Sequence, residues 1–204
     1  MTKRGTRVQD SPAYMLHATP WRETSLIVQA FSREHGCVAL VAKGAKRPYS
    51  ALRPVLSAFQ PLALSWSGAG EVKTLTRAEV AGIRPLAGGA LMSAWYMNEL
   101  LLRLLPREDA HPVLYDAYDT ALMQLAAGTR AAGALRRFEW TLLRETGYGV
   151  DEATPDFDDP AIEPRLRADL RERLDENLAG RPLATRRVLL DLQTRRLSAR
   201  LPSR

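Results

Sequence analysis

Residues 38–53 read VALVAKGAKRPYSALR, and the stretch changes character halfway along. Val38, Leu40 and Val41 are β-forming and apolar, whereas Lys43, Gly44, Lys46, Arg47 and Pro48 form a cationic bend. A strand running into such a bend fits the rim of a small sheet. Whether the cations are merely solvated or form a binding surface depends on what flanks them.

Upstream, Ala13–Ala18 is a short β-like segment. Thr24–Ser32 (TSLIVQAFS) and Cys37–Ala42 (CVALVA) flank REHG, where Gly36 can take the positive φ of a hairpin loop. Downstream, Tyr49–Ser57 is compatible with a short helix starting near Pro54. In Phe59–Trp66 the residues Leu62, Leu64 and Trp66 share one face, as in a half-buried strand. After a turn at Ser67–Gly70, Val72–Ile83 places Val72, Thr74 and Thr76 in period two. Five strands with one intervening helix predict a small closed barrel of the OB type, with an SH3-like barrel as the competitor.

After Pro85 the period becomes 3.6. Helices are predicted over Leu86–Leu105, Pro112–Ala127, Ala131–Thr146, Glu163–Leu178 and Ala184–Leu197, with Pro106, Gly128 and Gly147 as stops. An acidic, proline-punctuated loop fills residues 150–162. The fold class is therefore α+β: a five-stranded OB-type barrel over residues 1–84, then an all-helical domain over residues 85–204.

The chain has 204 residues and a formal net charge of +6. The excess is one-sided: residues 1–84 hold 12 Lys/Arg against 5 Asp/Glu, whereas the remainder is close to neutral. Such asymmetry points to a polyanion partner for the barrel. No apolar run reaches the roughly 18 residues of a membrane span. No secretory signal is visible at the N-terminus, so a reducing cytoplasm is the expected compartment. One cysteine, Cys37, excludes an internal disulfide and a multi-cysteine zinc site.

Catalytic chemistry finds little support. His17, His35 and His111 lack metal-site spacing. Cys37 opens an apolar strand, where a structural thiol is expected rather than a nucleophile. SGAGEVKT (67–74) lacks the spacing of a phosphate loop and joins strand to strand. The carboxylates at 151–159 lack the EF-hand pattern. No catalytic residue, metal or cofactor is expected.

Binding chemistry is better supported. Arg22 follows Trp21 between the first two strands; Lys43, Lys46, Arg47 and Arg53 follow the third; Lys73, Arg77 and Arg84 line the fifth. In OB barrels the second and third strands, with the one–two and four–five loops, hold oligonucleotides. Cations there would track phosphates, while Trp21 and Tyr49 are candidates for base stacking. Phe31 and Trp66, inside apolar strands, read as core. In the helical half, Arg136 and Arg137 head an amphipathic helix. That helix could hold an acidic peptide with a hydrophobic end, although a core helix with an ordinary charged face is the simpler reading of the pattern.

Several long motifs occur in order: HATPWRETSLIVQAFSREHGCVALVAKGAKRP, FQPLALSWSGAGEVKTLTRAE, YMNELLLRLLPRED and ALRRFEWTLLRETGYG. Together they closely resemble the RecO family of DNA repair and recombination proteins over about residues 13–150, and LAGRPLATRRVLLDLQ resembles that family's C-terminal helix. The resemblance implies an OB fold, a helical domain and a non-enzymatic recombination mediator of the RecF pathway. It implies binding of single- and double-stranded DNA and annealing of complementary strands. With RecR, such a protein loads RecA onto strands coated by single-stranded DNA-binding protein (SSB). LRRFE falls on the motif contributing an arginine to the docking site for the acidic SSB tail, which selects Arg136, with Arg137 beside it. Two departures stand out: the four-cysteine zinc module of some relatives is missing, and the interval after Gly149 is short. The alternative reading is a protein-interaction adaptor with incidental DNA contact; a nuclease is a more distant third.

Overall fold

The computed structural model describes residues 6–128, 131–148 and 152–188. Its first half contains β1 (Thr6–Trp21), β2 (Ser25–Ser32), β3 (Gly36–Ala42), a single helical turn α1 (Leu52–Val55), β4 (Pro61–Gly68) and β5 (Val72–Val80). The strands close in the order β1-β2-β3-β5-β4. All pairings are antiparallel except β3 with β5, where Leu40 lies opposite Lys73. This is the five-stranded OB-type barrel expected from the alternating pattern.

β1 is much longer than the Ala13–Ala18 segment expected. Asp10 and Pro12 disguise its first half. Asp10 takes a φ of 48°, and the pairing register with β4 shifts between Val8 and Ser11. The bulge is satisfied locally: the Asp10 N–H donates to Ser65 Oγ at 2.9 Å, and that hydroxyl donates to Asp10 Oδ1 at 3.1 Å. A bulge bends the strand and lets one long β1 serve both β2 and β4. The expected Tyr49–Ser57 helix shrinks to α1, in which Pro54 can donate no backbone hydrogen bond.

Four helices follow: α2 (Gly89–Leu104), α3 (Pro112–Ala126), α4 (Ala131–Glu145) and α5 (Glu163–Asn177). Residues 184–188 form a further helical turn; the rest of the expected Ala184–Leu197 helix lies outside the described residues. So do residues 150 and 151 of the acidic loop, whose later part precedes α5.

Two cores form, and they share a wall. Ala13, Met15, Val28, Ala30, Val38, Leu40, Leu62, Leu64 and Trp66 fill the barrel. The alternate residues Tyr14, Leu16 and Phe31, with Cys37, point outward into the helical core with Met97, Leu101, Leu122 and Phe138. Tyr14 and Phe31 pack on Tyr115 and Tyr118, with ring centroids 5.1–6.2 Å apart. Period-two alternation thus buries both faces of β1 and β2, one face in each core. Cys37 is buried there, its thiol pushed up to about 12 by desolvation, as a structural cysteine should be.

Polar contacts finish the junction. The Asn98 amide donates to the Leu16 carbonyl at 2.9 Å and accepts from the Tyr118 hydroxyl at 2.6 Å. Asp119 accepts from both the Tyr14 hydroxyl and Arg84. Burial, followed by the bond to Asp119, keeps the Tyr14 phenol protonated far above its ordinary range. Arg84, expected on the barrel's cationic surface, is thus committed to this internal pair. The segment after α2 also docks on β3: the Glu108 N–H donates to the Cys37 carbonyl at 3.0 Å.

Candidate nucleic-acid interface

The β1–β2 hairpin and the β3–α1 connection meet at one rim of the barrel. Their contact is main-chain: the Lys46 N–H donates to the Thr24 carbonyl at 2.9 Å. Two turns stabilise the shape. Gly44 adopts a φ of 70°, and the Arg47 N–H donates back to the Gly44 carbonyl at 3.0 Å. The Arg47 side chain lies across the glycine; a Cβ there would sit 3.6 Å from its Cδ and Nε. Arg22, at a φ of 52°, carries its guanidinium 5.9 Å from the centroid of the Trp21 ring.

Two adjoining surface hollows of about 460 and 530 Å³ share Lys43, Gly44 and Arg47. The first also contains Trp21, Arg22 and Val41, and the second Pro48, Tyr49 and Leu52. Together they make one groove with cations along its middle and an aromatic ring towards each end. Trp21 is 46% exposed and Tyr49 fully exposed, so both rings have a face available for stacking. Among the described residues, none of Arg22, Lys43, Lys46, Arg47 and Arg53 has a carboxylate partner. Glu23 also lines the first hollow, but against Arg22, Lys43 and Arg47 it leaves the groove net positive.

The other sequence-selected residues fall elsewhere. Lys73, expected among the phosphate contacts, is buried and paired with Glu108 of the segment after α2. Arg77 is exposed but held by Glu79 at 2.6 Å and faces Asp10 at 3.7 Å. Strand alternation cannot show that Glu108 arrives from another element to cover Lys73, whereas Glu79 lies two residues from Arg77 on the same strand face. Phe31 and Trp66 are core residues, as their apolar flanks suggested.

In the helical part, Arg136 and Arg137 separate. Arg136 is buried; its Nε lies 2.6 Å from Glu139 and its Nη1 3.3 Å from Glu163. The Tyr96 hydroxyl donates to the same Glu139 at 2.7 Å. These groups line a cleft of about 280 Å³ whose further cations are Arg167, Arg171 and Arg186. Nothing in the local pattern singled out those three arginines, which come from α5 and the following turn. Arg137 is half exposed on a different cleft, above the Phe157 ring. Among the described residues, no group of His, Cys, Asp and Glu is arranged to hold a metal ion.

Comparison with known proteins matches the same two halves. The recombination protein O N-terminal family model covers residues 7–84, and the C-terminal model covers residues 87–154. The chain belongs to the RecO family. It is 46% identical to the DNA repair protein RecO of Ralstonia nicotianae, over 92% of this chain and 86% of the relative. Against the RecO of Aromatoleum aromaticum it is 47% identical, over 92% and 97%. A shorter match to Cupriavidus pinatubonensis RecO reaches 61% over 146 positions, or 71% of this chain and 50% of that protein. The first two alignments run over 233 positions, more than this chain's 204 residues, so those relatives carry internal segments it lacks. Family membership and the OB-type barrel give the chain a general role in DNA repair and recombination. RecO proteins act without catalysing a reaction, and no described helix is long and apolar enough to cross a membrane.

Proposed function

We propose that this protein is a RecF-pathway recombination mediator that binds single- and double-stranded DNA and anneals complementary strands. With RecR, it helps load RecA onto SSB-coated single strands. The rim groove is the observation that carries the reading: three cations without carboxylate partners (Arg22, Lys43 and Arg47) lie between two exposed aromatic rings, with Lys46 exposed on the turn beside them. The cations replace counterions along phosphates, and Trp21 and Tyr49 stack on unpaired bases. Arg53, exposed on α1, extends the same surface. Annealing follows when two partly neutralised strands are held close enough to pair.

The SSB tail docks on the helical part, in the cleft with Arg136 at its base. Ala132, Leu135 and Tyr96 supply apolar wall, and Arg167 and Arg171 supply positive charge for an acidic segment. Arg137 lies outside this cleft and takes no part in it.

The direct test is annealing of complementary strands pre-coated with SSB, with and without this protein and in the absence of nucleotide. Acceleration that reverts when Lys43, Lys46 and Arg47 are replaced supports the reading. Annealing no faster than with SSB alone, in the presence of a folded protein, overturns it.

A further inference from the structure

The Arg136 cleft holds carboxylates of its own, and they are held unequally. Glu139, 3% exposed, grips one edge of the Arg136 guanidinium: Nη2 donates to it at 2.8 Å and Nε lies 2.6 Å away. The same Glu139 oxygen accepts from the Tyr96 hydroxyl, so this partner is fixed from two sides. Glu163 is held less firmly. It stands in the first turn of α5, is partly exposed along the cleft, and accepts from Arg136 Nη1 at 3.3 Å. A contact that long and partly wetted is weak.

The other cations of the cleft differ in the same way. Arg186 is paired with Asp175 and lies over the Tyr96 ring at 5.8 Å. Arg171 stands 3.9 Å from Asp175. Arg167 is exposed and, among the described residues, has no carboxylate partner. It follows Glu163 by one turn of α5, and a glutamate four residues before a cation is the favoured order for a helical ion pair. Glu163 therefore has two arginines within its range: Arg136 inside the cleft and Arg167 on its own helix.

We propose that Glu163 is a built-in competitor for the acidic segment this cleft receives, an inference that rests on the tail-binding reading given above. A carboxylate of the segment takes the place of Glu163 at Arg136 Nη1, along the path by which Glu163 itself reaches that nitrogen. Glu139 keeps the other edge, and Glu163 turns outward to Arg167. With five donors, Arg167 can hold Glu163 and still face the acidic segment. A neutral apolar segment brings nothing to exchange for Glu163, so the competition selects acidic partners against it. Affinity for the acidic segment is lowered by the fraction of molecules in which Glu163 holds the position.

Anisotropy titrations of the full-length protein test this with a labelled peptide of three aspartates followed by Leu-Phe and a free C-terminus. Glu163→Gln should tighten binding roughly five-fold or more, because Arg136 keeps Glu139 and loses only the competitor. Glu172→Gln, on the same helix but outside the cleft, makes the same change in net charge and should move affinity less than about two-fold. A counterpart peptide with asparagines and a C-terminal amide should bind wild type and Glu163→Gln equally weakly. Both replaced side chains reach solvent, and thermal melts verify that the variants fold. Wild-type binding of the acidic peptide that Glu163→Gln leaves unchanged or weakens overturns the competitor and leaves the tail-binding reading standing. A gain matched by Glu172→Gln, or shared by the amidated peptide, also overturns it. Binding by neither wild type nor Glu163→Gln overturns both readings.

Discussion

Lys73 of β5 and Glu108 of the segment after α2 form an ion pair in which the lysine is buried. The Lys73 ammonium also approaches the Gly70 carbonyl at 3.4 Å, so the pair ties the β4–β5 turn to the helical part. Glu108→Gln leaves a buried cation short of its counter-charge. The half-exposed glutamate moderates the loss to about 1–3 kcal/mol. Chemical denaturation should show it as a lower midpoint at unchanged slope. DNA affinity of the folded variant should stay at the wild-type level.

Gly36 is constrained twice. Its φ is 64°, and a Cβ added there would lie 1.8 Å from the Asp109 carbonyl oxygen, which is backbone and cannot swing away. Gly36→Ala should therefore cost more than the roughly 1–3 kcal/mol of left-handed strain alone. A thermal melt would register the loss, and an unchanged midpoint would contradict the packing of residues 107–109 on β3.

The groove makes a salt-dependent prediction. Replacing Lys43, Lys46 and Arg47 with alanine should weaken binding to single strands of any sequence. The slope of log affinity against log salt should flatten by about 0.7 for each phosphate that is no longer neutralised. Anisotropy titrations across a salt series separate this from a fold defect, because all three side chains are exposed. Trp21→Ala should lower affinity for single strands more than for duplex, whose bases are already stacked.

Glu99 sets an acid limit for the turn at 184–188. Its carboxylate accepts from the Ala184 and Thr185 N–H groups at 2.8 and 2.9 Å and from the Thr185 hydroxyl at 2.7 Å. Burial pushes its pKa upward, but the Thr185 and Ala184 backbone bonds outweigh it, and the net shift is downward. A depressed pKa means the stabilisation is present above the unfolded value, about 4.3, and is lost as pH falls through the folded one. Glu99→Gln should lower stability at neutral pH and narrow its gap to wild type below pH about 4. Denaturation midpoints across that range check the sign.

The barrel was legible because its strands alternate cleanly: Leu62, Leu64 and Trp66 share a face in the sequence and in the core. The groove was legible for a related reason, since Lys43, Lys46 and Arg47 are adjacent in the chain and Trp21 and Arg22 sit in the hairpin that meets them. What escaped was anything decided by an element distant in sequence. Lys73 and Arg84 look like Arg47 until Glu108 and Asp119 arrive from 35 residues away. The first half of β1 escaped because Asp10 and Pro12 read as loop, and only Ser65 on β4 shows why a strand tolerates them. Arg136 and Arg137 were paired by adjacency, whereas helical rotation sends them to separate clefts.

The wall formed by β1 and β2 has a consequence for how the molecule comes apart. A barrel cut free after residue 84 would expose Tyr14, Leu16, Phe31 and Cys37 to water, an adhesive stripe with no partner. The helices released by the same cut would lose the surface on which Tyr115 and Tyr118 rest. The barrel would keep its own interior but bare its outer wall, and the helices would lose one side of theirs, so the two halves should melt in one cooperative transition. Although two family models divide the sequence, the shared wall predicts a single melting unit.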